Sequence, residues 1–128
     1  MRELVHLAVP EADPQAFEGI VSAVEDRESQ VSTALGGGLA VPHGRTNLVA
    51  ELRMSAGLVR QLRDYDAPDG LPIEVVFLVV IPDAATGQHV KVLGRIARLM
   101  HDSDSRAALV RAHDAAEFVH VIRRSEAA

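Results

Sequence analysis

The order of apolar and polar residues along the chain predicts strands that alternate with helices. Residues 73–82, IEVVFLVVIP, form an almost unbroken apolar run, which is typical of a central strand covered on both faces. Apolar and polar side chains alternate over residues 52–59, which predicts a strand with one buried face. Residues 4–9, which end at Pro10, are predicted as another short strand, and residues 39–41 as a brief extended segment.

Two longer helices are predicted from apolar residues at helical spacing. One covers residues 14–26 and begins at the Asp13-Pro14 pair, which suits an N-cap and a first helical turn. The other lies within residues 89–102, HVKVLGRIARLMHD, after the very apolar strand. The stretches 27–38 and 60–70 are rich in polar and turn-forming residues, and both are predicted as loops.

Two short helices complete the predicted elements. Ser103 or Asp104 could cap a helix that ends near Val110, and Asp114 could cap the next. The apolar face of that last helix is predicted to hold Phe118, Val119 and Ile122. Helices interleaved with strands around one very apolar strand predict an α/β fold, with a mixed β-sheet flanked by helices on both faces. A length of 128 residues predicts one domain over residues 1–128.

Composition removes several classes of function. The net charge is −5 and aromatic residues make up only 3% of the chain, which argues against nucleic-acid binding. The sequence has no cysteine, so disulfides, thiolate nucleophiles and cysteine zinc sites are excluded. The longest apolar run, residues 75–81, is far shorter than the roughly 20 residues that cross a bilayer. We therefore expect a cytoplasmic protein with no direct membrane insertion.

Residues 36–47, GGGLAVPHGRTN, contain the best candidate for chemistry. A neutral imidazole such as that of His43 can attack a phosphoryl group near cytoplasmic pH. Pro42 fixes one backbone torsion, Gly44 removes a side chain that would crowd an incoming partner, and the glycines at 36–38 let backbone N–H groups converge on phosphate oxygens. From these residues alone, His43 could equally be a surface histidine in a glycine-rich turn.

The wider stretch RESQVSTALGGGLAVPHGR resembles the active-site segment of the fructose–mannitol class of phosphotransferase-system IIA domains, EIIA type 2. That family has an Arg-Glu pair, a Ser-Thr, a glycine-containing loop and an apolar-Ala-apolar-Pro-His-Gly step followed by a basic residue. Here these are Arg27-Glu28, Ser32-Thr33, the glycines at 36–38, residues 39–44 and Arg45. Downstream, Asp69-Gly70 precedes the apolar strand and His89-Val90-Lys91-Val92-Leu93 follows it, so the similarity covers roughly residues 14–124.

The resemblance implies a phosphotransferase component with a phosphohistidine intermediate. His43 would be the phosphoryl acceptor, charged by an HPr-like phosphocarrier and discharged to an EIIB domain. His89 would hydrogen-bond the phosphoryl oxygens, Arg27 would lie near the site, and Thr33 and Gly44 would support the bound phosphate. No cofactor or metal is implied, because the donor is a phosphoprotein rather than ATP.

Three alternatives remain at this point. The domain could instead be a regulatory EIIA-like module, of the nitrogen-regulatory type or attached to a transporter or regulator, that controls a partner protein by its phosphorylation state. His43, His89 and Asp83 could form a metal site. Arg27 could be a solvated charge at a helix end, and His89 a first-turn residue without a partner. The few residues before Arg27 also suggest reduced packing and a homodimer.

Overall fold

The computed structural model describes residues 1–30, 34–36, 38–62, 70–85 and 87–127. Within these ranges the chain forms five helices and five strands. The helices are α1 (Arg2–Ala8), α2 (Pro14–Gln30), α3 (Gln88–His101), α4 (Ser103–Val110) and α5 (Ala115–Ala127). The strands are β1 (Ala34–Gly36), β2 (Leu39–Ala40), β3 (His43–Thr46), β4 (Arg53–Leu62) and β5 (Ile73–Pro82).

The apolar strand β5 is the centre of a mixed sheet. Strand β4 pairs with it antiparallel on one side. On the other side β2 and β3 pair with it in parallel, one after the other along its length. Strand β1 pairs antiparallel with β2. The sheet that the sequence predicted is therefore confirmed, and β3 lies at its edge among the described strands.

Alternate residues of β5 point to opposite faces of the sheet, and helices cover both. Phe77 and Val79 belong to a core cluster with buried side chains of α3, α4 and α5. Leu78 and Val80 belong to another, with buried side chains of α1 and α2. Nearly every residue of β5 is buried as a result, which explains its unbroken apolar sequence.

The prediction of a strand over residues 4–9 is wrong, because Arg2–Ala8 is the helix α1. Its buried residues Val5 and Ala8 stand three apart, and the side chain of Leu7 is 64% exposed, so the period is that of a helix. Strand β4 supports this helix from the side. The Ser55 hydroxyl donates to the Leu4 carbonyl at 2.6 Å, and the Arg53 guanidinium donates to the Ala8 carbonyl at 3.2 Å.

Helix α2 ends later than predicted, at Gln30 rather than near residue 26, so Arg27 lies in its last turn and not in a loop. Residues 34–36 of the predicted loop form β1, and residues 60–62 of the other predicted loop belong to β4. Residues 31–33, 37 and 63–69 lie outside the described part of the chain.

Carboxylate caps set most of the helix starts. Asp13 accepts a hydrogen bond from the Ala16 amide at 2.8 Å, and Asp114 accepts one from the Glu117 amide at 2.8 Å, as the sequence predicted. Helix α4 is capped by Asp102, not by Ser103 or Asp104. On α5 the residue Val119 is 42% exposed and Val121 is buried in its place.

Candidate functional site

His43 is the first residue of β3, directly after the gap that separates β3 from β2 along the edge of β5. The residue before it, Pro42, has no N–H to donate to the sheet, so β2 stops before it and β3 starts after it. The Pro42 carbonyl still accepts the Val79 amide at 3.0 Å, which holds the interruption against β5. The side chain of His43 is half-buried at this break.

The His43 ring has one nitrogen occupied and one unbonded within the described residues. Its Nδ1 lies 2.9 Å from the carbonyl oxygen of Val41, which is a buried residue. A carbonyl oxygen can only accept, so Nδ1 carries the hydrogen in the neutral ring. Its Nε2 therefore keeps the lone pair, which is the form of imidazole that attacks an electrophile.

The register of β3 decides which face of the sheet each of its side chains occupies. Residues paired across parallel strands point to the same side, and His43 pairs with Val79 while Arg45 pairs with Ile81. Val79 and Ile81 both face α3, α4 and α5. His43 and Arg45 therefore face that side, and Gly44 faces α1 and α2.

Gly44 has a packing reason to be glycine. A Cβ built on it would lie 2.8 Å from the main-chain nitrogen of Val24 and 3.0 Å from the carbonyl oxygen of Ala23. Both neighbours are the backbone of α2, which cannot move aside as a flexible side chain can. The absence of a side chain at Gly44 lets α2 pack directly on β3.

Arg27 lies at the same end of β3 as His43. Helix α2 runs antiparallel to β3, because Gly19 contacts Leu48 while Val24 contacts Gly44. Arg27 comes about one helical turn after Val24, which continues in the direction of His43. Its side chain is half-buried, and its helix covers the face of the sheet opposite to that of His43.

His89 lies in the first turn of α3, the helix that covers the His43 face. Its Nδ1 is buried and makes no hydrogen bond with any described residue. The N-cap of this helix, Gly87, has a φ of 99°, which favours glycine, and it offers no side-chain acceptor to the first N–H groups. Within the described residues, the start of α3 therefore combines an imidazole nitrogen that makes no hydrogen bond with a first turn that has no side-chain cap, which suits an anion.

Arg45 was given no role by the sequence, and the structure gives it one. Its Nη1 donates to the carbonyl oxygens of Pro82, Asp83 and Ala85 at 3.3, 3.3 and 3.1 Å. The Pro82 carbonyl is at the end of β5, and those of Asp83 and Ala85 belong to the connection that leads from β5 to α3. No signal in the sequence marks this contact, because its acceptors are main-chain atoms some 40 residues away.

Two other expectations concern this region. Thr33 lies outside the described residues. In the described part of the chain no group of three or more His, Asp or Glu side chains is arranged to hold a metal ion, so the alternative of a site at His43, His89 and Asp83 has no ligand set there. Across the same residues, no helix combines the length and apolar character needed to cross a bilayer.

Sequence comparison places relatives of two kinds beside this chain. It is 36% identical over 112 residues to a nitrogen regulatory protein of Pseudomonas aeruginosa, a match that covers 83% of this chain and 67% of that protein. It is also 30% identical over 114 residues to the fructose-specific EIIABC component of the phosphotransferase system of Bacillus subtilis. That match covers 89% of this chain and 18% of the longer protein.

Solved structures of similar proteins have the same fold as this chain. The crystal structure of the nitrogen regulatory protein IIA-Ntr from Neisseria meningitidis superposes with a TM-score of 0.77 at 31% identity, covering 83% of this chain and 73% of that one. The mannitol IIA enzyme of Escherichia coli, in complex with phosphorylated IIB, gives a TM-score of 0.67 at 18% identity over 95% of this chain and 86% of that one, which shows the shared fold alone. Residues 4–125 match the family of the phosphoenolpyruvate-dependent sugar phosphotransferase system described as EIIA 2, and the chain belongs to that family.

Proposed function

We propose that this domain is a phosphocarrier of the phosphoenolpyruvate-dependent phosphotransferase system, with His43 as its phosphorylated residue. The observation that carries the proposal is the contact of His43 Nδ1 with the Val41 carbonyl, which leaves Nε2 as the nucleophile. The donor is a phosphohistidine on an HPr-like protein, and the acceptor of the next step is an EIIB domain. Family membership supports this direction of transfer.

The accepting step is an exchange between two imidazoles. The Nε2 lone pair of His43 forms a new N–P bond while the N–P bond of the donor breaks, and the electron pair of that bond returns to the donor ring. The His43 ring becomes more positive as the bond forms, and its Nδ1–H remains on the Val41 carbonyl, whose partial negative charge favours that form. No metal is needed, because both partners are histidines.

The phosphoryl oxygens need positive neighbours, since the protein contributes mainly position and electrostatics to such a transfer. His89 is our candidate on the α3 side, because its ring has no hydrogen bond at Nδ1 and its helix has no side-chain cap among the described residues, so the start of α3 suits an anion. Arg27 is our candidate on the α2 side, because a guanidinium can bind two phosphate oxygens at once. Charge-assisted hydrogen bonds of this kind are worth about 1.5–3 kcal/mol each. Thr33 stays a candidate from the sequence.

A regulatory role is the second candidate, favoured by a specific observation. Nitrogen regulatory relatives from Bradyrhizobium diazoefficiens and Pseudomonas aeruginosa are 34% and 36% identical to this chain, against 27–31% for the fructose- and mannitol-specific relatives and 28% for the nitrogen regulatory protein of Escherichia coli. In this version His43 is phosphorylated in the same way, but the added charge of about −1.5 to −2 changes a docking surface for a partner protein instead of moving on to EIIB. Assembly as a homodimer also stays a prediction.

Labelling from phosphoenolpyruvate tests the proposal. The purified chain is mixed with the first enzyme of the system, HPr and phosphoenolpyruvate labelled with ³²P, and acid-labile label on the chain is measured over time. We expect the wild-type chain to be labelled and His43→Ala to carry no label. His101→Ala is the matched control, because His101 is an exposed histidine at the far end of α3, and it should be labelled normally.

A second stage separates the two candidate functions. The labelled chain is freed of donor and mixed with EIIB domains of the fructose and mannitol systems. Movement of the label to EIIB supports the carrier, whereas stable label that no EIIB domain removes supports regulation. An unlabelled wild-type chain, or label that survives in His43→Ala, would overturn the proposal for both functions.

A further inference from the structure

The side chain of Arg45 joins β3 to the connection between β5 and α3. Three main-chain carbonyls, those of Pro82, Asp83 and Ala85, accept from the same terminal nitrogen at 3.1–3.3 Å. Next to this contact, the Thr46 carbonyl accepts the Asp83 amide at 3.1 Å, which extends the pairing of β3 past the end of β5. The first part of the connection is therefore held to β3 from two directions.

The start of α3 comes directly after this connection. Gly87 lies in the left-handed region and His89 comes two residues later, in the first helical turn. The His89 Nδ1 makes no hydrogen bond with a described residue, so no hydrogen bond from this atom fixes the orientation of the ring in that part of the chain. A shift of the backbone at the start of α3 would therefore move the His89 ring with no hydrogen bond at Nδ1 to resist it in the described part of the chain.

The same strand carries both His43 and Arg45. They stand two residues apart, so both face α3, and Arg45 reaches toward the segment that precedes His89. No ion pair joins Arg45 to a carboxylate of the described residues, and its contacts there are with carbonyl oxygens. The same strand therefore carries one histidine and, through Arg45, hydrogen-bonds to the backbone that leads to the other.

We propose that Arg45 is a positioning residue that sets His89 relative to His43 by holding the backbone of the β5–α3 connection. The inference rests on the proposed function of the two histidines, and it adds a residue that acts through His89 without touching phosphate. The physical reason is distance sensitivity, since a displacement of about 1 Å can cost a transfer reaction two orders of magnitude in rate. One guanidinium nitrogen shared among three carbonyl acceptors resists such a displacement better than a hydrogen bond to one acceptor.

The test is a double-mutant cycle of Arg45→Met with His89→Ala, read as the rate of phosphoryl transfer from HPr to His43. Methionine keeps the aliphatic stem and removes every donor. If Arg45 acts through His89, Arg45→Met slows transfer about tenfold in the wild-type chain and less than about twofold when His89 is already alanine. Equal slowing in both backgrounds, or no slowing in either, would overturn the inference.

Arg53→Met is the matched control. Arg53 also donates to a main-chain carbonyl, that of Ala8, but it does so beside α1 and not beside α3. We expect it to leave transfer within about twofold in both backgrounds, although it should lower the melting temperature. Arg45→Lys should restore transfer to within about threefold of wild type, because all three acceptors share one donor nitrogen and an ammonium has three hydrogens.

A second measurement does not depend on phosphorylation. Amide hydrogen exchange of the folded chain should become faster at Asp83, Ala85 and Val90 in Arg45→Met, because these amides donate to the Thr46, Pro82 and Gly87 carbonyls. It should stay unchanged there in Arg53→Met. If the wild-type chain takes no label, the proposed function fails while this measurement still decides whether Arg45 holds the connection. Unchanged exchange at all three amides in Arg45→Met would overturn the role of Arg45 on its own.

Discussion

The two faces of the sheet use the same strands for different purposes. On the face covered by α3, α4 and α5, strand β3 presents His43 and Arg45, which make hydrogen bonds to main-chain carbonyls. On the face covered by α1 and α2 it presents Gly44, which makes room for the backbone of α2. Because neighbouring residues of a strand point to opposite faces, chemistry and close packing are separated by a single position.

Neighbouring substitutions in β3 should therefore have different kinds of effect. A change on the α3 face should alter the rate of transfer with little loss of stability, since its groups are half-buried or exposed. A change on the α2 face should alter stability first, because a new atom there meets helix backbone. Substitutions on each face, and the pH dependence of stability, can test this distinction.

Among the substitutions that compare the two faces, the largest effect is expected from His89→Ala, in the helix that covers the His43 face. Loss of one charge-assisted hydrogen bond to the phosphoryl group should slow transfer to His43 about 10- to 100-fold. The melting temperature should fall by no more than a few degrees, because His89 makes no hydrogen bond through Nδ1 to a described residue. Rapid quench-flow with labelled HPr measures the rate of transfer. His101→Ala on the same helix is the control. A wild-type rate in His89→Ala would remove His89 from the site.

The next effect is expected on the opposite face, from Gly44→Ala. The added Cβ would stand 2.8–3.0 Å from the α2 backbone, so α2 and β3 must separate, at a cost of about 1–3 kcal/mol in the free energy of unfolding. Urea denaturation followed by circular dichroism measures this change.

Gly94→Ala is the control for that substitution. Nothing lies within 4 Å of a Cβ at Gly94, which is in the interior of α3, so alanine there should stabilise the chain by about 0.5–1 kcal/mol. If the two substitutions had the same sign, the tight contact between α2 and β3 would not be present in solution.

The smallest effect is the pH dependence of stability on the α1 and α2 side. The Arg53 guanidinium holds the pKa of the Glu11 carboxyl below its ordinary value of 4.5, and Arg2 does the same to Glu18. A carboxyl whose pKa is lowered by folding contributes stability above its unfolded pKa and loses that contribution as pH falls through the folded value. Melting temperatures should therefore fall from pH 5 toward pH 3.

The matching variant tests the sign of that dependence. With Glu11→Gln and Glu18→Gln combined, the melting temperature should change less over the same pH range, because two of the carboxyls that lose their guanidinium partners on protonation are gone. A steeper change in the double variant would contradict the pairing of these groups. The effect is small because all four side chains are substantially exposed and screened by solvent.

The sequence was sufficient for the central strand, for its coverage on both faces and for most helices. The apolar run at 73–82 could only be covered on both sides, and the aspartates at 13 and 114 capped their helices as expected. The error at α1 arose because the apolar residues of this short segment fit the spacing of a strand as well as that of a helix. Spacing alone could not show that Val5 and Ala8 share a face while β4 bonds the helix from the side.

The candidate site was predictable only where a side chain belongs to a local motif. His43 stood out because a proline and a glycine flank it, whereas His89 was assigned only through the family resemblance of the run His89-Val90-Lys91-Val92-Leu93. Arg45 did not, since its partners are carbonyls of a distant connection and main-chain acceptors leave no mark on residue type. The packing role of Gly44 was missed for a related reason. It depends on the pairing of β3 with β5, which makes Gly44 face α2.

The proline interruption before His43 also limits how this segment can vary in length. Leu39 pairs with Val75 and His43 with Val79, so the offset between the two strands is the same on both sides of Pro42. The break at Pro42 removes hydrogen bonds to β5 but leaves the register between the strands unchanged. Inserting or deleting one residue between these pairs would shift the register of β3 by one, so that the His43 imidazole would face α2. A larger side chain would then take the place of Gly44 against the backbone of α2. Natural insertions in this short interval should therefore come in even numbers or be looped out entirely.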